Sequence, residues 1–129
     1  MPFATNGIVK LHWKSSGEGT AVLLIAGQGM TTAGWWSTAP ILGESLRVIA
    51  FDNRGTGRSS RTPWPYSVAQ MALDAVAVLD AAGVQRAHVY GISLGSLVAQ
   101  ELAPRTSAWT RSGWRRATSC ATRLPSEMP

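Results

Sequence analysis

The chain of 129 residues has one cysteine, Cys120, and two histidines, His12 and His88. A single thiol forms no internal disulfide, so the stapled framework of a small secreted domain is excluded and a reducing, cytoplasmic setting is expected. No apolar run approaches the ~20 residues that cross a bilayer, and the first ten residues lack the charged start and apolar stretch of a signal peptide. No membrane partner is therefore expected. Charged residues are scarce at 15%, while 45% are hydrophobic, a balance that fits one small globular domain rather than a disordered or fibrous chain.

The net charge of +5 is unevenly placed. Residues 1–104 hold seven Lys or Arg against six Asp or Glu, whereas residues 105–129 hold five Arg against one Glu. Arg105, Arg111, Arg115, Arg116 and Arg123 lie among Thr, Ser, Ala and Trp with no sustained apolar period. The sequence therefore divides near Pro104 into a patterned unit, 1–104, and a basic tail, 105–129, for which little order is expected.

Within the first unit, Val9, Leu11 and Trp13 alternate with Lys10, His12 and Lys14, as in a strand with one buried face. Ala21-Val22-Leu23-Leu24-Ile25-Ala26 is too short for a helix and reads as a strand covered on both faces. A helix is expected over about residues 33–44, with Pro40 inside it, and another short apolar strand over 46–51. A polar, glycine-containing loop spans residues 52–60. Ser67 and Gln70 form a capping-box pattern, and Val68, Met71, Ala72, Ala75, Val76, Leu79 and Ala82 follow at helical spacing up to Gly83. A strand over 87–92 then leads into a helix from Ser93 that Pro104 is expected to stop. Strands alternating with helices imply an α/β fold with a mainly parallel sheet and helices on both faces.

Gly91-Ile92-Ser93-Leu94-Gly95 stands where the last buried strand meets a helix, the context that a G-x-S-x-G nucleophile elbow requires. So sharp a turn strains the serine backbone and brings strand and helix close together, which demands neighbours without side chains, here Gly91 and Gly95. The bland alternative is a glycine-serine turn that merely caps the helix. Against it stand two further loops, Gly27-Gln28-Gly29 and residues 52–60, which also leave strand carboxyl ends, the edge where open α/β sheets bind ligands.

With these parts in this order, residues 1–104 resemble the N-terminal half of the α/β-hydrolase superfamily. The resemblance rests on Asn6-Gly7-Ile8, on Leu23-Leu24-Ile25-Ala26-Gly27-Gln28-Gly29, on Asp52-Asn53-Arg54-Gly55-Thr56-Gly57-Arg58-Ser59 and on the elbow. It implies Ser93 as nucleophile and the backbone N–H groups of Gln28 and Leu94 as oxyanion hole. It further implies a small-molecule ester or lactone as substrate, with no metal or organic cofactor. The Asn-Arg-Gly-Thr-Gly-Arg-Ser loop looks like that of esterases and enol-lactonase-like members.

The family's triad continues with an acid and a histidine on later loops, and no residue here matches them. His12 lies on an early strand and His88 lies five residues before Ser93, about 15 Å away along a strand. Asp52 opens a loop, and Asp74 and Asp80 sit on a helix. Little or no activity is therefore expected of this chain alone.

A sheet ending at the 87–92 strand would leave an apolar edge bare, so self-association or strand pairing with another chain is the alternative function. A nucleic-acid arm built on the tail's arginines, Trp109 and Trp114 has no motif behind it, and no nucleic-acid partner is expected. A dinucleotide fingerprint fails because its third glycine would fall at Thr32. Helix pattern, charge balance and resemblance change together at Pro104, the signature expected of a shifted reading frame. Translating the gene beyond that codon in its two other frames should yield a histidine-containing continuation; its absence from both would remove the main support for a frame shift.

Overall fold

The computed structural model describes residues 3–63, 66–108 and 119–123, side chains included up to residue 102. Its framework is a sheet of β1 (Phe3–Asn6), β2 (Val9–Ser16), β3 (Ala21–Ile25), β4 (Arg47–Phe51), β5 (Ala87–Ile92) and β6 (Ser119–Arg123), in the order β1-β2-β4-β3-β5-β6. The first two strands form a hairpin through the two-residue turn Gly7-Ile8, and β2 runs antiparallel to β4. The pairings of β3 with β4, β3 with β5 and β5 with β6 are parallel. The expected α/β architecture, mainly parallel and partial, is what the chain adopts.

All five residues of β3 are buried, as its unbroken apolar run requires of a strand covered on both faces. Leu23 and Ile25 point into one core with Ile49, Phe51, Val89 and the helices α2 (Val68–Ala81) and α3 (Leu94–Ala108). Val22 and Leu24 point the other way, into a smaller core with Val48, Ala50 and Trp35, where the short helix α1 (Thr38–Leu42) covers the sheet through Ala39 and Leu42. Helices thus lie on both faces. Among the described residues, no helix is long and apolar enough to cross a membrane.

The start of α2 forms as its sequence dictates. The Ser67 side chain accepts from Gln70 N, the Gln70 side chain accepts from Ser67 N, and at the far end Val84 N and Gly83 N close back on Leu79 O and Asp80 O. The expected helix over 33–44 is instead two pieces, a 3₁₀ turn over Thr32–Trp35 and α1. Pro40 sits in the first turn of α1, where its missing N–H costs nothing, so the break falls before it rather than at it.

Two expectations about the chain's second half are corrected. Pro104 does not stop the last helix, which runs on to Ala108. Proline deletes one i→i−4 bond, while Val98, Ala99 and Leu102 are buried in the core and hold the helix in place by tertiary packing. Nor is β5 a bare edge: Ser119–Arg123 pairs with it in parallel register from His88↔Ser119 to Ile92↔Arg123. Backbone groups make that ladder, so side-chain periodicity gave no sign of it, and the bare β5 edge that motivated strand pairing with another chain is absent. Trp109 and Trp114 lie outside the described residues.

One buried ion pair ties the loop after β4 to α2. Arg54 donates from Nε to Asp74 Oδ2 at 2.6 Å and from Nη2 to Asp74 Oδ1 at 2.8 Å, and Asn6 Nδ2 donates to the same carboxylate at 2.8 Å. The hydrogen bonds from Arg54 to Asp74 raise the guanidinium pKa above its ordinary value despite the opposing effect of burial. Asp74→Ala would strand the guanidinium in the interior and is expected to lower unfolding free energy by about 3–5 kcal/mol, while Arg54→Met with Asp74→Leu recovers most of it. Urea denaturation of the three proteins checks this; equal losses in the single and double variants would contradict it.

Candidate active site

Ser93 occupies the one-residue junction between β5 and α3 with φ +55°, the only positive φ at a non-glycine among the described residues. A left-handed serine costs about 1–2 kcal/mol and persists only where its surroundings impose it. Here the strand and helix are in backbone contact. A Cβ on Gly91 would overlap Gly95 O, and a Cβ on Gly95 would overlap Ile25 O at the end of β3. Both elbow glycines are therefore required by close approach, as the sequence pattern implied. Behind the turn, buried Ser96 donates from its Oγ to Ser93 O at 2.6 Å, and Ser96 N donates to the same oxygen at 2.9 Å.

The turn after β3 abuts this elbow. Its Gly27 lies so close that an added Cβ would come within 3.3 Å of Ser93 Cβ. Met30 N donates to Gly27 O at 3.2 Å, and Gly29 at the third position has φ +76°, the geometry of a type II turn. Such a turn does not use the N–H of its second residue, which is Gln28. The Leu94 N–H is likewise a first-turn donor of α3 without an intrahelical partner. The structure thus brings the Gln28 turn, Ser93 and Leu94 together at the carboxyl end of β3 and β5.

Beside them is a cavity of about 120 Å³ lined by Gln28, Asn53, Arg54, Thr56, Leu94 and the residues Tyr66, Val68 and Met71. Val68 and Met71 were legible only as part of a helix face; their helix starts next to the elbow, which periodicity does not reveal. Asn53 is fixed by donating from Nδ2 to Ala26 O at 3.0 Å.

The 52–60 loop is built around Asp52, which is 2% exposed. Its carboxylate accepts from Thr32 N at 2.8 Å and Arg58 N at 3.0 Å, and lies 3.2 Å from His12 Nδ1. His12 and Asp52 are thus paired with each other on β2 and the loop. His88 opens β5 at the end away from Ser93. Among the described residues, neither histidine reaches the serine, and Asp74 is held by Arg54 and Asn6.

The alpha/beta hydrolase fold family matches residues 20–128 of this chain. The chain belongs to that family. Among curated relatives, the RutD protein of Azorhizobium caulinodans, named for a proposed carbamate hydrolase activity, is 41% identical over 122 residues, covering 91% of this chain and 46% of its own length. An N-acyl homoserine lactone degrading enzyme superposes with a TM-score of 0.78 at 31% identity, covering 94% of this chain and 44% of its own. The enol-lactonase of Burkholderia xenovorans does so with a TM-score of 0.74 at 25% identity, covering 89% and 44%. The chain therefore spans about half the length of the relatives it matches.

The strain at Ser93 makes a stability prediction. Ser93→Gly should be more stable than Ser93→Ala by about 1 kcal/mol, because glycine relieves the left-handed penalty and returns part of the gain as unfolded-chain entropy. Thermal or urea unfolding of the pair decides it; an alanine variant as stable as the glycine one would mean the elbow is not strained.

Proposed function

We propose that this chain carries the nucleophile half of a serine hydrolase site, with Ser93 as nucleophile and the backbone N–H groups of Gln28 and Leu94 as oxyanion hole. The observation that carries the reading is the left-handed Ser93 held between two obligatory glycines against the Gln28 turn. In the reaction, Ser93 Oγ bonds to a carbonyl carbon, its proton passes to a base, and the carbonyl oxygen gains the negative charge that the two N–H groups bind. Collapse breaks the bond to the leaving group, and water then releases the acyl group from Ser93. Preorganised donors of this kind are each worth about 3 kcal/mol of transition-state stabilisation.

The substrate class is a small molecule with a reactive carbonyl: an ester, a lactone or a carbamate. The neighbours described as a lactone-degrading enzyme and an enol-lactonase, and the relative named for carbamate hydrolysis, support that range. With His12 committed to Asp52 and His88 at the far end of β5, no base on the described residues takes the Ser93 proton. Alone, the chain is inactive or very weak.

The test is hydrolysis of p-nitrophenyl acetate by the purified, folded chain beside Ser93→Ala, with mass spectrometry for a fluorophosphonate adduct. No turnover above the Ser93→Ala background is expected. Turnover and labelling that vanish in Ser93→Ala would keep the nucleophile and overturn the inactivity, since a base must then come from elsewhere, a second chain included. Labelling that persists in Ser93→Ala would remove Ser93 from the role.

A further inference from the structure

Opposite Ser93, at the N-terminal ends of the parallel strands, lies a concavity of about 470 Å³ whose lining includes Gly19, Thr20, Arg47, Gln85, Arg86 and His88. Sheet register assembles it: Ala21 pairs with Arg47 on one side and Ala87 on the other, so the start of β4 and the turn before β5 flank the start of β3. Two arginines and a histidine line it, and no Asp or Glu is among its described lining residues.

Arg47 is half-buried and held in one orientation. Its Nε donates to Ser15 Oγ at 2.9 Å and its Nη1 to Ala82 O at 3.0 Å, which leaves Nη2 and the second Nη1 hydrogen as donors. Arg86 is exposed, and among the described residues neither arginine has a carboxylate partner. Both arginines line the same hollow, and an anion bound there would accept charge-assisted hydrogen bonds from their guanidinium groups.

We propose that this hollow is a binding site for a phosphate group, carried by a small organic phosphate or present as inorganic phosphate. A dianion with several acceptor oxygens matches the Arg86 fork together with the remaining Arg47 donors better than a monoanionic carboxylate does. The volume exceeds that of a phosphate alone, leaving room for an organic portion over Gly19, Thr20 and Gln85. The site is separate from Ser93 and does not depend on the hydrolase reading.

The full chain, labelled with ¹⁵N, is titrated with sodium phosphate, glycerol 3-phosphate and acetate at constant ionic strength set by sodium chloride. Saturable shifts are expected at the amides of Thr20, Gln85, Arg86 and His88 with both phosphates, and about tenfold weaker binding of acetate. Tighter binding of glycerol 3-phosphate than of inorganic phosphate would assign the site to an organic phosphate; the reverse would assign it to the free ion. Arg86→Gln, at an exposed position, should weaken either by about tenfold, and Arg86→Lys by less, since it keeps the charge but not the fork. Arg47→Gln should abolish saturation, but it also loses two structural bonds, so Arg86→Gln is the deciding variant. Shifts that do not saturate, that sodium chloride reproduces, or that survive Arg86→Gln unchanged would overturn the proposal. Ser93→Ala should leave the titration unaltered.

Discussion

The backbone contact between Gly95 and the last residues of β3 governs everything near the candidate site. Because α3 starts directly against Ile25 O, the chain leaving β5 has a single residue in which to reverse direction, and that residue is Ser93 at φ +55°. The same approach places the Gly27 turn against Ser93 Cβ, so the proposed nucleophile and both proposed oxyanion donors share one junction. Any side chain at Gly91 or Gly95 would push helix and strand apart and disperse those groups together. The strain is stored where chemistry would use it and is balanced by the buried packing of Val98, Ala99 and Leu102.

The 52–60 loop is the second constraint. It has little apolar surface of its own, and polar bonds hold it instead. Asp52 gathers Thr32 N, Arg58 N and His12, Ser59 and Ser60 bond to β2, and Arg54 reaches across to Asp74 on α2. Removing one partner from such a network costs far more than the pair contributes on balance, so the loop acts as a clamp between β2, the turn after β3 and α2. The clamp occupies Asp52, Asp74 and His12 with partners of their own, away from Ser93.

Much of this was legible in advance, for physical reasons that differ by element. The β3 run is apolar on both faces because helices cover both faces, and the Ser67–Gln70 box forms because its two bonds are local. The elbow was readable because close backbone approach allows only glycine at Gly91 and Gly95. Other features escaped the residue pattern. The pairing of β6 with β5 is made by backbone groups whose partners are distant in sequence, and α3 continues through Pro104 because packing outweighs one lost bond. The split of the 33–44 region into a 3₁₀ turn and α1 depends on Pro40 entering a first turn, which one residue's propensity does not position.

By itself, the sequence determined the strands β2 to β5 with the helices α2 and α3 in order, the two-sided burial of β3, the cap of α2 and the glycines of the elbow, because each rests on periodicity, local hydrogen bonds or the absence of a side chain. Only the tertiary structure decided that the Gly27 turn abuts Ser93, that Asp52 and Asp74 are spent on His12 and Arg54, that β6 pairs beside β5, and that Arg47 and Arg86 line one hollow with no carboxylate among its described lining residues. Those outcomes depend on which strand lies beside which, a choice made by long-range packing and sheet register rather than by any neighbouring residues.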